Sequence, residues 1–239
     1  MHINNFDENK LNFKIGNQDK YGNTYIDISY DNTKLKFSID KELETSGLCN
    51  VLDKNENKIG KYLMIFKLFD DPKNLSNNEK DIRLFFDKLH SKILKFVLDN
   101  KRKFNFDSPN SVDFDKIIQR YLRRIYKPNF IDIRDQLCEP QMYFSARLED
   151  SLLKNSSFDD NIEKFIFKPG IAKCNFVLNQ IIVCCYDIVT ELTIENMNLK
   201  YFADEKGVDE LMNEFDIILY DSDSDILRLA FYGIYESHI

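Results

Sequence analysis

Tryptophan is absent from this sequence, histidine occurs only at positions 2, 90 and 238, and no two of its five cysteines form a Cys-x-x-Cys pair. With the histidines scattered in this way, neither a zinc site nor a Cys/His nucleophile pair stands at recognisable spacing. Cys184 and Cys185 adjoin one another in an apolar run, where thiols behave as small hydrophobes, so a reducing compartment is expected. No apolar run approaches the roughly 18 residues of a membrane span. Met1 to Lys10 is too polar for a secretory leader, and a soluble intracellular protein is the expectation.

Catalytic signatures are missing as well. Asp70-Asp71, Asp159-Asp160 and the series Asp221, Asp223, Asp225 sit in turn-like segments with no ordered spacing to a Lys or His. Lys168 to Gly170, "KPG", lacks the flanking glycines and the Ser/Thr of a phosphate-binding loop. We therefore expect no catalytic residue, no metal ligand, no cofactor and no enzymatic activity.

What is present is a globular balance, 43% hydrophobic and 31% charged, over 239 residues, enough for one large domain or two small ones. Heavy use of Asn, Lys, Asp, Ile and Phe matches an AT-rich coding bias, so many Asn and Lys carry no message. "YIDISYDNTKLKFSI", residues 25–39, alternates apolar and polar positions on either side of Asp31-Asn32, and predicts a hairpin with one buried face. "YLMIFKLF", 62–69, is apolar on both faces and predicts a central strand. Ile82, Phe85, Phe86, Leu89, Ile93, Phe96 and Val97 follow helical spacing behind a capping-box pair, Ser76 and Glu79, and predict a helix near 78–100. A second helix is predicted near 112–127, stopped by Pro128.

Beyond Pro128 the pattern predicts strands at "NFIDIRD", "MYFSARLED", "KFIFK", "AKCNFVLN", "QIIVCCYD" and "TELTIENMNLKYF". Met142, Phe144, Ala146 and Leu148 alternate with Tyr143, Ser145, Arg147 and Glu149, which implies a sheet with a wet face. In the last segment Leu192 and Ile194 are out of phase with Met197, Leu199 and Tyr201, as a bulge or bend requires. The expected fold is α+β, mainly β: an OB-like curled antiparallel sheet or barrel with a two-helix insertion, over residues 1–203. An acidic C-terminal segment, 204–239, follows it.

Within this map "KIIQRYLRRIYKP", 116–128, carries five basic residues. On a helical wheel Lys116, Arg120, Arg123, Arg124 and Lys127 fall within about 100° of one another, opposite Phe114, Ile118, Tyr121, Leu122 and Ile125. The apolar set docks the helix and assigns Tyr121 to the core side. From Lys101 to Lys127 eight bases face three acids, a local excess of five that leaves −12 for the rest of a chain whose net charge is −7. An ordinary solvated face mixes signs, whereas this one lacks its counter-charge. Basic residues interleaved with Phe104, Phe106, Tyr121 and Tyr126 suit a groove that tracks phosphates and stacks bases, although Phe104 and Phe106 equally suit loop anchors. From Asp204 to Asp225 nine acids face only Lys206, in keeping either with a solubilising tail or with a mimic of nucleic acid that meets basic partners.

The order of these features resembles the phage-type single-stranded DNA-binding proteins carried by nucleocytoplasmic large DNA viruses. The residues that carry it are "YIDISYDNTKLKFSI", the helix pattern Phe86, Leu89, Ile93, the basic helix ending in Tyr126-Lys-Pro128, and the strand "MYFSARL", together covering roughly 20–203. One departure is the apolar "ILRLAFYGIYESHI" after the acidic run, so tail-mediated polymerase recruitment is not carried over.

The resemblance implies an OB-fold, a role in DNA replication or recombination, and a location in the cytoplasm or nucleus of a host cell or in a virion. Single-stranded DNA, with RNA as the alternative, is the expected ligand. Lys101, Arg102, Lys103, Arg120, Arg123, Arg124 and Lys127 are the expected phosphate contacts, and Tyr126 and Tyr143 the stacking residues, with Arg147 beside Tyr143. Replication proteins or self-association through the acidic segment are the expected protein contacts. The competing expectation is a structural or interaction protein, a minor virion or scaffold component, whose basic helix docks on an acidic protein surface.

Overall fold

We describe residues 1–52, 58–69, 74–104, 106, 113–122, 125–128, 142–148 and 168–201 of the computed structural model. They group into two compact units. Expectations at "NFIDIRD" and for residues 202–239, with the boundary at 203, lie outside the described residues, as does nearly all of "KFIFK".

The first unit draws on Met1–Ser38, Asn77–Ile125 and Phe176–Thr193. It holds β1 (Leu11–Gln18), β2 (Thr24–Tyr30), β3 (Thr33–Ser38), α1 (Asn77–Asp99), α2 (Phe114–Tyr121), the second half of β8 (Gly170–Val183) and the first half of β9 (Ile188–Tyr201). The expected hairpin forms because Asp31 and Asn32 take positive φ, 51° and 62°, as a two-residue turn of this kind demands. The Thr33 hydroxyl donates to the Tyr30 carbonyl at 3.0 Å and closes it. β2 pairs antiparallel with β1 along its length, from Leu11 opposite Tyr30 to Ile15 opposite Ile26. On its other side it pairs with β3 at Ser29 and Tyr30 and with β8 from Thr24 to Asp27.

Ser76 stands at the N-cap position of α1 and Glu79, which is buried, three residues inside it. The apolar stripe of α1, from Ile82 through Phe85, Phe86, Leu89 and Ile93 to Val97, is buried as its spacing predicts. Phe37 of β3 is the hub of an aromatic core, 4.9 Å from Phe85, 6.0 Å from Phe86 and 5.5 Å from Phe176. Phe13 of β1 stacks on Phe96 at 4.8 Å, so α1 is held against the sheet along most of its length.

The second unit draws on residues within 39–76, 126–175 and 194–201. It contains β4 (Leu43–Leu52), β5 (Lys58–Phe69), β6 (Tyr126–Pro128), β7 (Met142–Leu148) and the other halves of β8 and β9. β5 is central, paired antiparallel with β4 and β7, and its residues Leu63–Phe66, Leu68 and Phe69 are buried, which explains its apolar run. β4 continues onto β8 through Leu43 opposite Ala172. It bulges between Thr45 and Leu48, where Gly47 takes φ +86°.

The fold is α+β, mainly antiparallel β, of the OB-like kind, with both helices between β5 and β6. Among the described strands the pairing runs in the order β1-β2-β3-β8-β4-β5-β7-β6, with β9 paired to both β7 and β8. β8 is one strand through Val183 where the sequence predicts two. β1 and β4 are not predicted by it at all. In β9 the burial phase changes where the sequence places a bend: Leu192 and Ile194 are buried, and beyond them Met197 and Leu199 are the more covered positions.

α2 is shorter than the helix expected near 112–127. It ends at Tyr121, whereupon Leu122 bridges to Ile188 of β9 and Tyr126–Pro128 pairs with β7. Backbone pairing with strands supersedes the helical period there, and the β-branched and aromatic residues of "RIY" favour the extended form.

Candidate functional site

The basic residues that are best placed lie in the first unit, on the turn that leaves α1 and on α2. α1 stops at Asp99 because Asn100 turns its side chain back, its Nδ2 donating to the Phe96 carbonyl at 2.9 Å. Lys101–Lys103 follows at once as a 3-10 turn, so three cations stand at the negative end of a 23-residue helix, where the aligned peptide dipoles favour them. The turn is anchored from below. Phe104 and Phe106 are buried, with rings 5.7 Å apart, and Phe106 lies 5.5 Å from Phe114, the first residue of α2. These two phenylalanines are therefore loop anchors, and their expected alternative role as base-stacking residues is corrected: a ring within the core presents no face to a ligand.

Lys101 fixes the turn to α2 directly. Its Nζ donates to Asp115 at 2.6 Å and lies 5.7 Å from the centre of the Phe114 ring. Lys116 pairs with Asp113, the N-cap residue three positions before it, at 2.8 Å. The basic segment thus does carry counter-charge, contrary to the sequence count, because Asp113 and Asp115 fold onto lysines. Both pairs are largely exposed and contribute little to stability. Arg102, Lys103 and Arg120 are exposed and have no acidic partner among the described residues. Arg102 and Lys103 stand on the 101–103 turn and Arg120 on α2, the two elements that the Lys101–Asp115 pair ties together. Ile118 and Leu122 are buried as the wheel assigns them, and Tyr121 is half-buried, its ring 6.4 Å from Phe106.

Arg123 and Arg124 lie outside the described residues. Tyr126, Lys127, Tyr143 and Arg147 belong to the second unit, on β6 and β7. Their backbone register sets Lys127 opposite Tyr143, and Tyr143 opposite Lys67 of β5. Lys67 already pairs with Glu44 at 3.3 Å. Arg147 stands opposite Leu63, and Ser145 opposite Ile65, both buried, so that part of β5 is not open to water.

Two features escape the sequence. The loop joining β1 to β2 is organised around Asp19, whose carboxylate accepts from the backbone N–H of Tyr21 at 2.8 Å, the N–H of Asn23 at 2.9 Å, Asn23 Nδ2 at 2.9 Å and the Tyr25 hydroxyl at 3.1 Å. Desolvation alone would raise its pKa, but the four donors outweigh it and bring the carboxyl down to about 2. Tyr25, desolvated and bonded to that carboxylate, is shifted upward. The second feature is exposed aromatic surface: Tyr21 at this loop is 41% exposed and Tyr186, in the turn from β8 to β9, 63%. The signal for both is a tyrosine inside each turn, "KYGN" and "CCYD", but the latter reads as the end of a strand.

Among the described residues no group of His, Cys, Asp or Glu is arranged to hold a metal ion, and no helix is long and apolar enough to cross a membrane. No protein-family model matches the chain, and no curated protein matches it.

Proposed function

We propose that the chain is a non-catalytic single-stranded DNA-binding protein of DNA replication or recombination, which holds phosphates along the edge formed by the 101–103 turn and α2. One observation carries this reading. In a chain of net charge −7, Arg102, Lys103 and Arg120 stand exposed with no acid beside them among the described residues, on a rigid base of buried phenylalanines. Arginines without a partner offer forked contacts to phosphate oxygens, and the release of counterions supplies affinity that does not depend on sequence. The resemblance in motif order to viral single-stranded DNA-binding proteins supports the same reading, and with it a viral replication site.

A second reading, an interaction protein docked on an acidic protein surface or on the acidic 204–239 segment of another copy, is favoured by Lys101 and Lys116. Both already accept carboxylate partners, Asp115 and Asp113. Titrating the full chain against labelled oligo(dT) and a duplex of equal length at low salt decides between them. The proposal expects saturable binding that is tighter for oligo(dT) and abolished when Arg102, Lys103 and Arg120 are changed together to Glu. Absence of binding to either DNA, with self-association seen by light scattering, supports the second reading.

A further inference from the structure

The β1–β2 loop and the β8–β9 turn lie at one end of the first unit's sheet. Thr24 pairs with Val183, so the residues preceding β2 and those following β8 emerge side by side. The C-terminal end of α2 reaches the same place: Leu122 bridges Ile188, and the Tyr121 ring meets that of Tyr186 edge-on at 6.2 Å. Arg120, one of the three exposed cations without an acid beside it among the described residues, precedes Tyr121 directly.

We propose that Tyr21 and Tyr186 are stacking positions for the unpaired bases of a nucleic-acid strand whose phosphates run along the edge of Arg102, Lys103 and Arg120. This inference rests on the function proposed above and adds the part of the ligand that is recognised. Tyr21 and Tyr186 are the exposed rings of this end, at 41% and 63%, while Tyr121 is half-buried and meets Tyr186 edge-on. Lys20 Nζ sits 4.8 Å from the centre of the Tyr21 ring, a cation whose charge strengthens that ring as a partner for a base. The loop is pre-organised, since the Asp19 carboxylate holds the backbone N–H groups of Tyr21 and Asn23 together with the Asn23 and Tyr25 side chains. In the other turn the Cys184 N–H donates to the Asp187 carbonyl at 2.8 Å and holds Tyr186 at the tip.

Charge divides the ligand between the two surfaces. Asp19, Lys20 and Asp187 leave the two tips with a net charge of −1, which disfavours phosphates and leaves the rings to uncharged bases, whereas Arg102, Lys103 and Arg120 are cationic and suit phosphates. Bases within a duplex are stacked on one another and offer no free face, so such tips engage only unpaired strands.

The test compares the full chain on three labelled oligomers of equal length: oligo(dT), an abasic oligomer with the same phosphate backbone, and a duplex. Wild type is expected to bind oligo(dT) at least tenfold more tightly than the abasic strand. Tyr21→Ala with Tyr186→Ala should lose about tenfold in affinity for oligo(dT) per ring and leave abasic binding unchanged. Tyr→Phe at both positions should retain binding, since a phenyl ring still stacks. Circular dichroism of the variants checks the fold. Equal binding to oligo(dT) and the abasic strand, or a double alanine variant that binds oligo(dT) as wild type does, overturns the stacking role while leaving the phosphate edge intact. No binding to any of the three overturns both.

Discussion

Gly47 occupies a backbone conformation with φ +86°, and a Cβ at that position would stand 2.3 Å from the Lys168 carbonyl oxygen. That oxygen and the Lys168 nitrogen, 2.6 Å from the same Cβ, are both backbone and cannot give way, so Gly47→Ala should lower the stability of the second unit by about 2 kcal/mol or more, read from chemical denaturation. Asp19 makes a different kind of claim. Its carboxyl, held down at about 2, lies below the usual carboxylate range of the unfolded chain. Its stabilising contribution is therefore complete above about pH 4 and lost as the pH falls toward 2. Carboxyl NMR should give a midpoint near 2 for Asp19, and Asp19→Asn should remove that part of the acid sensitivity; a midpoint near 4 contradicts the four-donor geometry. At this scale the sequence is legible where a residue's role follows from its period. Wheel position assigns Tyr121 to the core side, and its ring does face Phe106. Tyr21 and Tyr186 are not legible, since their exposure depends on turns whose packing partners lie far away in sequence.

Among the elements, α1 is legible almost to the residue, because a seven-member apolar stripe and a cap agree with each other. β1 and β4 are not. Leu11, Phe13 and Ile15 alternate as a strand should, but they are interleaved with the Asn and Lys that pervade this chain, and β4 is interrupted by its bulge. α2 shows the limit of a helical wheel: the period persists to Lys127 on paper, while backbone pairing with β9 and β7 takes the chain after Tyr121. The consequence for the basic stripe is that only part of it is helical. Phe106 is the element-scale test of the site. It joins the 101–103 turn to α2 through Phe114 and Tyr121, so Phe106→Ala should cost about 3 kcal/mol and also weaken strand binding by displacing Arg102 and Lys103. Arg102→Ala with Lys103→Ala should cost no more than about 1 kcal/mol, the share of their interaction with the end of α1, since neither makes an ion pair among the described residues. A Phe106→Ala protein that melts as wild type does contradicts the anchor.

For the whole molecule, the fold class is readable from element order, whereas the two-unit organisation is not, because β8 and β9 each serve both units and no composition change marks the passage between them. The segregation of charge is readable too, although folding refines it. Lys101 and Lys116 are taken up by Asp115 and Asp113, while Arg102, Lys103 and Arg120 keep no acidic partner among the described residues. Neutralisation of phosphates by these three side chains, the proposed role, is read from the salt dependence of binding to oligo(dT). Wild type should give a steep linear fall of log affinity against log salt. Changing all three to Ala should flatten the slope by about 2, since each phosphate neutralised on a single strand adds roughly 0.7 to it. A slope unchanged by the triple substitution would contradict the account.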